Sequence, residues 1–260
     1  MEEIKKHPNN TFSWVDLATI NTEDAKEFYN ELFSWDYVEE PAGEGMVYIM
    51  CMLNKKPVAA IYEMRPDQKE MGLPPYWLPY ISVENTDDTA NKIPEAGGKV
   101  IVPPMDVFDN GRMAVIQDNQ GAMFALWQSG ESTGSAYKNV PGTMSWVELG
   151  TNNAESSIDF YKKVFGWRSR TETMHGNEYT TFFYGDNEHE MAAGMYKLTE
   201  EMKDVPPHWL TYFNVESVEK AIDGAKAKKG KVIMGPMSLP DIGDFAVIQD
   251  PQGGVFGIFG

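Results

Sequence analysis

The sequence predicts an α+β fold in which one domain occurs twice, each domain consisting of two βαβββ modules. The first observation is an internal repeat. When residues 12–128 are aligned with 144–260 at a constant shift of 132 positions, 36 of 117 pairs, about 31%, are identical. The second is the polar stretch 129–139 between the copies, which has the composition of a linker. We therefore predict domain 1 at 11–128, a linker at 129–142 and domain 2 at 143–260.

The elements of each copy follow from the spacing of its apolar residues. Residues 12–19 alternate as a strand, and Thr22 is predicted to cap a helix because the next apolar residues recur at helical spacing. The strand–helix order restarts at 76–83, and the segment Asp118–Gly121 is typical of a hairpin turn. The other predicted elements of domain 1 are strands at 35–39, 46–53 and 57–64, a helix near 87–96 whose end Pro94 weakens, and strands at 99–103, 111–117 and 122–128.

The composition indicates which kinds of binding partner are unexpected for this protein. The net charge is −17, from 39 acidic and 22 basic residues, so phosphate backbones and anionic lipids are repelled. We expect neither nucleic acid nor membrane partners, and no apolar run approaches the ~18 residues that a membrane span needs. Cys51 is the only cysteine, which excludes an internal disulfide and a zinc site of several thiolates. With no apolar leader at the N-terminus, a cytoplasmic protein is predicted.

Several repeated motifs carry a resemblance to a known superfamily. A Phe-Tyr-x-x-x-Phe-x-Trp segment starts at Phe28 and at Phe160, and an Asp-x-x-Gly-x-x-Phe segment closes each copy at Asp118 and Asp250. Together with the paired βαβββ modules, they resemble the vicinal oxygen chelate superfamily, which includes glyoxalase I, extradiol dioxygenases and bleomycin resistance proteins. The Trp-x-[Asp/Glu]-Leu and Pro-Pro-x-Trp-Leu segments are similar to its two-domain, lactoylglutathione-lyase-related branch.

This resemblance implies curled sheets, U-shaped clefts and a divalent metal held by His and Glu side chains on the first, fourth, fifth and eighth strands. None of the corresponding side chains in this chain can bind a metal, so we predict that the usual metal centre is absent. The corresponding positions are Trp14, Ala60, Leu78 and Ala125 in domain 1, and Trp146, Ala192, Leu210 and Gly257 in domain 2.

A displaced metal site remains an alternative. Strand residues two positions apart share a face, and Glu148, Glu190 and His208 lie two positions from the expected ligands in domain 2. Asp16 could complete such a site if the two copies pair. Domain 1 itself offers no matching set, since a valine and Tyr76 stand where domain 2 has Glu190 and His208.

The acids Asp16 and Glu148 are the candidate catalytic residues, because each copy keeps a carboxylate inside an apolar strand. Each could instead face water or accept backbone hydrogen bonds, or act as a general base or polar anchor in a cleft. Candidate ligand-binding residues are aromatic or imidazole side chains near the expected clefts, with core packing as the alternative for the tryptophans. They are Trp14, Trp146, Trp77, Trp209 and His208.

From these residues we predict a superfamily protein that binds a small organic ligand in a cleft without the usual metal. One alternative is a glyoxalase-type lyase or isomerase that acts on a reactive aldehyde adduct through a displaced metal site. Another is a stress or scaffold protein whose clefts are filled by side chains. The sequence leaves open whether the chain is an enzyme. We expect a monomer with paired domains, with a dimer as the alternative.

Overall fold

The computed structural model describes residues 2–43, 45–70, 72–174, 176–240 and 243–260. Its strands and helices occur in the same order in both domains. Domain 1 contains β1 (Phe12–Thr19), α1 (Thr22–Phe33), β2 (Asp36–Pro41), β3 (Val47–Leu53), β4 (Lys56–Glu63), α2 (Pro66–Glu70), β5 (Tyr76–Ser82), α3 (Thr86–Glu95), β6 (Lys99–Val107), β7 (Gly111–Gln117) and β8 (Met123–Ser129). Domain 2 contains β9 (Met144–Thr151), α4 (Ala154–Phe165), β10 (Arg168–Met174), β11 (Asn177–Phe183), β12 (Met191–Lys197), a 3-10 turn (Glu200–Met202), β13 (His208–Asn214), α5 (Val218–Ala227), β14 (Lys231–Leu239), β15 (Gly243–Gln249) and β16 (Val255–Phe259).

Each domain builds one eight-stranded mixed sheet, which confirms the predicted tandem α+β architecture. The strand order is β2-β3-β4-β1-β5-β8-β7-β6 in domain 1 and β10-β11-β12-β9-β13-β16-β15-β14 in domain 2. The two modules of a domain join at their first strands, since β1 pairs antiparallel with β5 while β4 and β8 flank them in parallel. Every sheet face therefore belongs to a single domain.

The first helix begins one residue earlier than the sequence predicts. Asn21, not Thr22, is the N-cap, and its side-chain oxygen accepts the backbone N–H groups of Glu23 and Asp24. Asn21 has the extended backbone that an N-cap requires, so Thr22 already lies in the first turn. No helix in the described part of the chain is long and apolar enough to cross a membrane.

The main core lies between the two sheets, on the side of each sheet that carries the helices, and it is shared between the domains. Phe33 of α1 packs against Phe213 of β13 with ring centroids 5.0 Å apart. In the reciprocal arrangement, Phe165 of α4 packs against Phe124 of β8 at 5.9 Å. Because the first helix of each domain buries aromatic side chains against the other sheet, the domains form one continuous hydrophobic core.

The constant shift between the copies conceals three length differences that cancel. Asp16 pairs with Ala60, whereas Glu148 pairs with Gly194, so β12 follows β4 by 134 positions and not by 132. Counted between residues at equivalent register positions, the stretch from Glu40 to Tyr48 is one residue longer than that from Glu172 to Tyr179. The stretch from Tyr48 to Ala60 is three residues shorter than that from Tyr179 to Gly194. The segment between β4 and β5 restores the register. The structural counterpart of Ala60 is therefore Gly194, and the sequence-based assignment to Ala192 is wrong by two residues.

The segment that connects the two sheets is packed against both of them. The backbone N–H of Ala136 donates to the carbonyl of Pro57 at 2.8 Å, and the indole N–H of Trp35 donates to the carbonyl of Gly142 at 2.7 Å. Near the N-terminus, the buried His7 ring contacts the carbonyl of Ser135 at 2.8 Å. These contacts fix the connection to the body of the protein.

Candidate ligand-binding site

Each sheet has an inner face, which we define as the side turned away from the helices and the main core. Along β1, Val15 and Leu17 point into the main core, while Trp14 and Asp16 point to the inner face. The same alternation in β9 places Trp146 and Glu148 on the inner face of domain 2. The candidate acids of the two domains thus lie on the inner faces of different sheets.

The carboxylate of Asp16 is held by tyrosine hydroxyl groups. Its Oδ2 accepts hydrogen bonds from Tyr80 at 2.7 Å and from Tyr48 at 3.0 Å. The indole N–H of Trp14 in turn donates to the Tyr48 hydroxyl at 2.9 Å. The second oxygen, Oδ1, is buried and has no hydrogen-bond partner among the described residues. Half of the hydrogen-bonding capacity of this carboxylate is therefore unused.

Burial dominates the electrostatics of Asp16. The side chain is 1% exposed, and no cationic group of the described residues forms an ion pair with it. Loss of hydration raises the pKa of Asp16 from 3.8 to about 7, because the hydroxyls of Tyr80 and Tyr48 offset only part of the cost of burying the charge. Asp16 therefore changes its charge close to neutral pH.

The inner face of domain 1 is largely closed by its own side chains. Bulky residues pack over the sheet around Asp16, which leaves that carboxylate without contact to solvent. The buried members of this cluster are Trp14, Ala60, Leu78, Tyr80, Ala125 and Trp127, with Tyr48, Met50, Tyr76, Val107, Met113, Val115 and Met123 packed against them.

The inner face of domain 2 repeats the arrangement but leaves the carboxylate accessible. Glu148 is half-buried, and its Oε1 accepts a hydrogen bond from the hydroxyl of Tyr179 at 2.7 Å. The indole N–H of Trp146 donates to Tyr179 at 2.9 Å, as Trp14 does to Tyr48 in domain 1. Burial raises the pKa of Glu148, while the hydroxyls of Tyr179 and Tyr212 and the Trp146 indole lower it.

Glycine residues explain how the tyrosines of domain 2 lie close to the sheet. A side chain at Gly194 would overlap the hydroxyl of Tyr179, and one at Gly257 would overlap the ring of Tyr212. Domain 1 has alanines at both positions, Ala60 and Ala125. The two glycines let Tyr179 and Tyr212 approach the strand backbone, and Glu148 beside them stays partly exposed.

His208 joins this face at the start of β13. Its Nδ1 lies 2.9 Å from the carbonyl of Pro206, and its Nε2 lies 3.4 Å from the hydroxyl of Tyr196. The rings of His208 and Tyr196 meet over Gly150, where a Cβ atom would lie 3.0 Å from both. Burial lowers the pKa of His208. The imidazole therefore presents a neutral edge beside Glu148, where domain 1 has Tyr76.

The donor set does not fit the metal centre that the superfamily implies. The four ligand positions carry only indole and aliphatic side chains or glycine, and among the described residues no three His, Cys, Asp or Glu side chains converge. The predicted displaced site is not assembled either. Glu190 lies in the loop before β12, where its Oε2 accepts the backbone N–H of Asn187 at 2.8 Å. Asp16 cannot complete a site with Glu148 because each sheet face belongs to one domain.

Trp77 and Trp209 lie in the main core and not on the inner faces. Trp77 donates its indole N–H to the hydroxyl of Tyr29 at 3.1 Å, and Trp209 donates to Tyr161 at 3.0 Å. Both indoles are buried on the helix side of their sheets. Their position does not support the ligand-binding role predicted from sequence, whereas Trp14 and Trp146 do lie on the inner faces.

A surface depression of about 890 Å³ lies between α3 and α4, next to Asn85, Lys92 and Lys162. A smaller one, of about 180 Å³, lies beside the start of α4. Neither is lined by inner-face residues. They hold no arrangement comparable to the carboxylate–tyrosine groups.

Sequence reasoning found the carboxylates but missed the tyrosines that hold them. Tyr80 and Tyr212 are repeated at the constant shift and could have been found. Tyr48 and Tyr179 could not, because the shorter β10–β11 connection places them 131 positions apart. Only the strand pairing aligns these two residues.

With the fold and the inner faces described, comparison with known proteins identifies the family. The model of the Glyoxalase/Bleomycin resistance protein/Dioxygenase superfamily matches residues 11–126 and 143–257. The chain belongs to this superfamily. The match to both halves agrees with the tandem repeat and with the resemblance found in the sequence.

Two curated relatives cover nearly the whole chain. "Putative glyoxylase CFP32" of Mycobacterium tuberculosis is 38% identical over 260 residues, covering 99% of this chain and 97% of the relative. The "Anthracycline biosynthesis protein DnrV" of Streptomyces peucetius is 31% identical over 258 residues, covering 95% and 91%. These superfamily members share the complete two-domain length of the chain.

Solved structures support the fold. The Mn(II)-bound glyoxalase from Novosphingobium aromaticivorans superposes with a TM-score of 0.67 at 13% identity, covering 96% of this chain and 82% of that one. The 2,3-dioxygenase LapB from Pseudomonas sp. KL28 has a TM-score of 0.65 at 14% identity, covering 96% and 91%. At these identities the similarity establishes the shared superfamily fold.

Proposed function

We propose that the protein binds a small organic molecule on the inner face of domain 2, beside Glu148, and that it does so without the usual superfamily metal. The observation that carries this proposal is a half-buried carboxylate held by Tyr179 on an aromatic and apolar floor. Convergent polar groups on such a floor are typical of small-molecule sites. The floor consists of Trp146, Leu210, Tyr212, Phe245, Val247, Val255 and Phe259.

The two domains have different roles in this proposal. Asp16 is covered by the side chains of domain 1, so that inner face serves as packing, as the scaffold interpretation expects of a filled cleft. Glu148 remains partly exposed, and for this reason we place ligand binding in domain 2. The relatives' printed names, a glyoxylase and an anthracycline biosynthesis protein, both concern small organic molecules. The single cysteine, Cys51, is buried and free, which is compatible with the reducing cytoplasmic setting that we also propose.

The test labels the seven tryptophans with 5-fluorotryptophan and follows them by 19F NMR, with the Trp146 resonance assigned from a Trp146→Phe variant. A fragment library of neutral, cationic and anionic aromatic compounds is titrated into the labelled protein. We expect saturable shifts of the Trp146 resonance, and we expect those of Trp77 and Trp209 to stay unchanged. If no fragment moves Trp146, the binding proposal fails and the scaffold interpretation gains support.

Metal content is measured on the same preparation after dialysis against Zn²⁺, Ni²⁺, Mn²⁺ and Fe²⁺ followed by gel filtration. We expect far less than one equivalent to be retained, because the strand positions lack donor side chains. Retention of one tightly held metal per chain would contradict the metal-free proposal.

A second candidate function is metal-free proton transfer in a glyoxalase-type reaction. The observation that favours it is Glu148, whose burial raises its pKa and so makes the carboxylate a better base near neutral pH. The test follows turnover of the hemithioacetal of methylglyoxal and glutathione by wild type and by Glu148→Gln. If the protein catalyses this reaction, Glu148→Gln should lose turnover. The control Glu178→Gln should keep it, because the exposed carboxylate of Glu178 lies on the opposite face of β11. If wild type shows no turnover, this second candidate function is wrong and the ligand-binding proposal remains.

A further inference from the structure

The carboxylates on both inner faces lack a cationic partner. Neither Asp16 nor Glu148 forms an ion pair within the described residues, among which other acidic side chains do pair with lysine or arginine. Arg170 lies on the same face as Glu148, on the edge strand β10, but it is paired with Glu172 at 3.3 Å and Glu188 at 2.8 Å. The part of the chain that the structure describes thus supplies no counter-ion to Glu148.

The groups around each carboxylate are aromatic. Tyr179, Tyr196 and Tyr212 approach Glu148 from β11, β12 and β13, and the indole of Trp146 lies two residues away on the same strand and face. His208, which lies on the same side, has its pKa lowered by burial and so adds no positive charge at neutral pH. A carboxylate inside a ring of electron-rich aromatic faces attracts cations by direct charge and by cation–π interaction.

Domain 1 provides independent support, because its carboxylate has the same surroundings and one unused oxygen. Asp16 Oδ1 is buried without a partner, although Oδ2 accepts two tyrosine hydroxyls. In both domains a tryptophan, tyrosines and a carboxylate form the same kind of arrangement, and in domain 1 it leaves one carboxylate oxygen without a donor among the described residues. Asp16 is closed off from solvent, whereas Glu148 is partly exposed.

We propose that the ligand of domain 2 carries a protonated amine, which binds to the carboxylate of Glu148 within the ring formed by Trp146, Tyr179, Tyr196 and Tyr212. The inference rests on the proposed ligand-binding function and adds the chemical class of the ligand. An aromatic or alicyclic organic cation fits, since its apolar part covers the floor around Phe245 and Phe259. The net charge of −17 further favours the approach of cations.

Three probes of equal skeleton test this proposal: 2-phenylethylamine, which is cationic at pH 7.5, 2-phenylethanol, which is neutral, and 3-phenylpropionate, which is anionic. Each is titrated against the Trp146 resonance of fluorotryptophan-labelled wild type. We expect the amine to bind at least about fivefold more tightly than the alcohol, because its ammonium group forms an ion pair with Glu148 and contacts the aromatic rings. The carboxylate probe should bind least, because Glu148 repels it. Because this comparison uses only the wild-type protein, its result does not depend on whether a variant folds.

Substitutions test whether Glu148 causes the tighter binding of the amine. Glu148→Gln should weaken the amine about fivefold or more and the alcohol less, because the variant loses the charge but keeps a hydrogen-bond acceptor. Glu178→Gln removes a carboxylate from the opposite face of the same sheet and should change neither. Equal affinities for the amine and the alcohol, or an unchanged amine affinity in Glu148→Gln, would overturn the inference while leaving ligand binding in place. If no probe or fragment moves Trp146, both proposals fail.

Discussion

The hydroxyl of Tyr29 in domain 1 donates to Oδ2 of Asp250 in domain 2 at 2.9 Å, and the hydroxyl of Tyr161 in domain 2 donates to Asp118 in domain 1 at 2.8 Å. Each aspartate uses its Oδ1 to accept three backbone N–H groups of the turn that follows it. The Asp-x-x-Gly motif thus has two functions at once. It closes the last hairpin of one domain and binds the first helix of the other.

These reciprocal hydrogen bonds predict that Tyr29→Phe destabilises the whole protein. The substitution removes one donor from a buried carboxylate and leaves the Trp77 indole without its acceptor, which should lower the free energy of unfolding by about 1–3 kcal/mol. Urea denaturation measures the loss. Tyr184→Phe is the matched control, since Tyr184 packs against the same core but its hydroxyl forms none of these bonds. A Tyr29→Phe variant within about 0.5 kcal/mol of wild type would contradict this account.

Asp16→Asn should stabilise the protein at alkaline pH and have less effect in acid. Burial raises the pKa of Asp16 from 3.8 to about 7, so the folded protein keeps a proton that the unfolded chain releases between these values. The free energy of unfolding of wild type therefore falls as pH rises through this range. The free energy of unfolding of Asp16→Asn, relative to that of wild type, should therefore increase by on the order of 3 kcal/mol between pH 4 and pH 8.

Urea denaturation at several pH values measures this difference. Asp36→Asn, which changes an exposed carboxylate on β2, is the matched control. A constant difference between Asp16→Asn and wild type across this range would mean that Asp16 does not hold its proton in the folded state.

His7→Gln tests the contact between the N-terminal segment and the connection between the domains. Burial lowers the pKa of His7 from 6.5 to about 4, so the unfolded chain binds a proton that the folded protein excludes. The contribution of His7 to stability is thus present above pH 6.5 and is lost as pH falls towards 4. Glutamine can still donate to the Ser135 carbonyl but does not titrate.

We expect the stability of His7→Gln, relative to wild type, to increase as pH falls through this window. The same substitution at the exposed His189 is the control. Parallel stability profiles for His7→Gln and wild type would show that His7 is accessible to protons in the folded protein.

Gly194→Ala should disrupt the carboxylate group of domain 2. The added Cβ would overlap the Tyr179 hydroxyl and lie 2.9 Å from the indole nitrogen of Trp146, so Tyr179 must move away from Glu148. We expect a cost of about 1–3 kcal/mol from overpacking, a shifted Trp146 resonance and weaker binding of 2-phenylethylamine.

Gly224→Ala is the matched control for this substitution. Gly224 lies inside α5, where a Cβ would meet only the Glu31 side chain at 3.4 Å, so alanine should stabilise the helix by about 0.5–1 kcal/mol. An unchanged Trp146 resonance in Gly194→Ala would indicate that Tyr179 does not lie over this strand.

The element pattern was largely predictable because it depends on local spacing. The strand at 12–19 and the strand at 111–117 agree with β1 and β7, and the helix predicted near 87–96 is α3. The cap of α1 was misplaced because Asn21 and Thr22 are both good N-cap residues, and only the backbone conformation distinguishes them. The short helix α2 lies in a segment without apolar periodicity and was missed.

The sequence by itself determined the duplication, the βαβββ modules and the acid that each copy keeps in its first strand, because repeats and alternation are local properties of the chain. Only the tertiary structure decided that Trp77 and Trp209 belong to the core and that Glu190 lies in a loop. It also decided that Tyr48 and Tyr179 are the counterparts that hold Asp16 and Glu148. The physical reason is that strand register sets which side chains share a face, and length differences that cancel along the chain leave no trace in a constant shift.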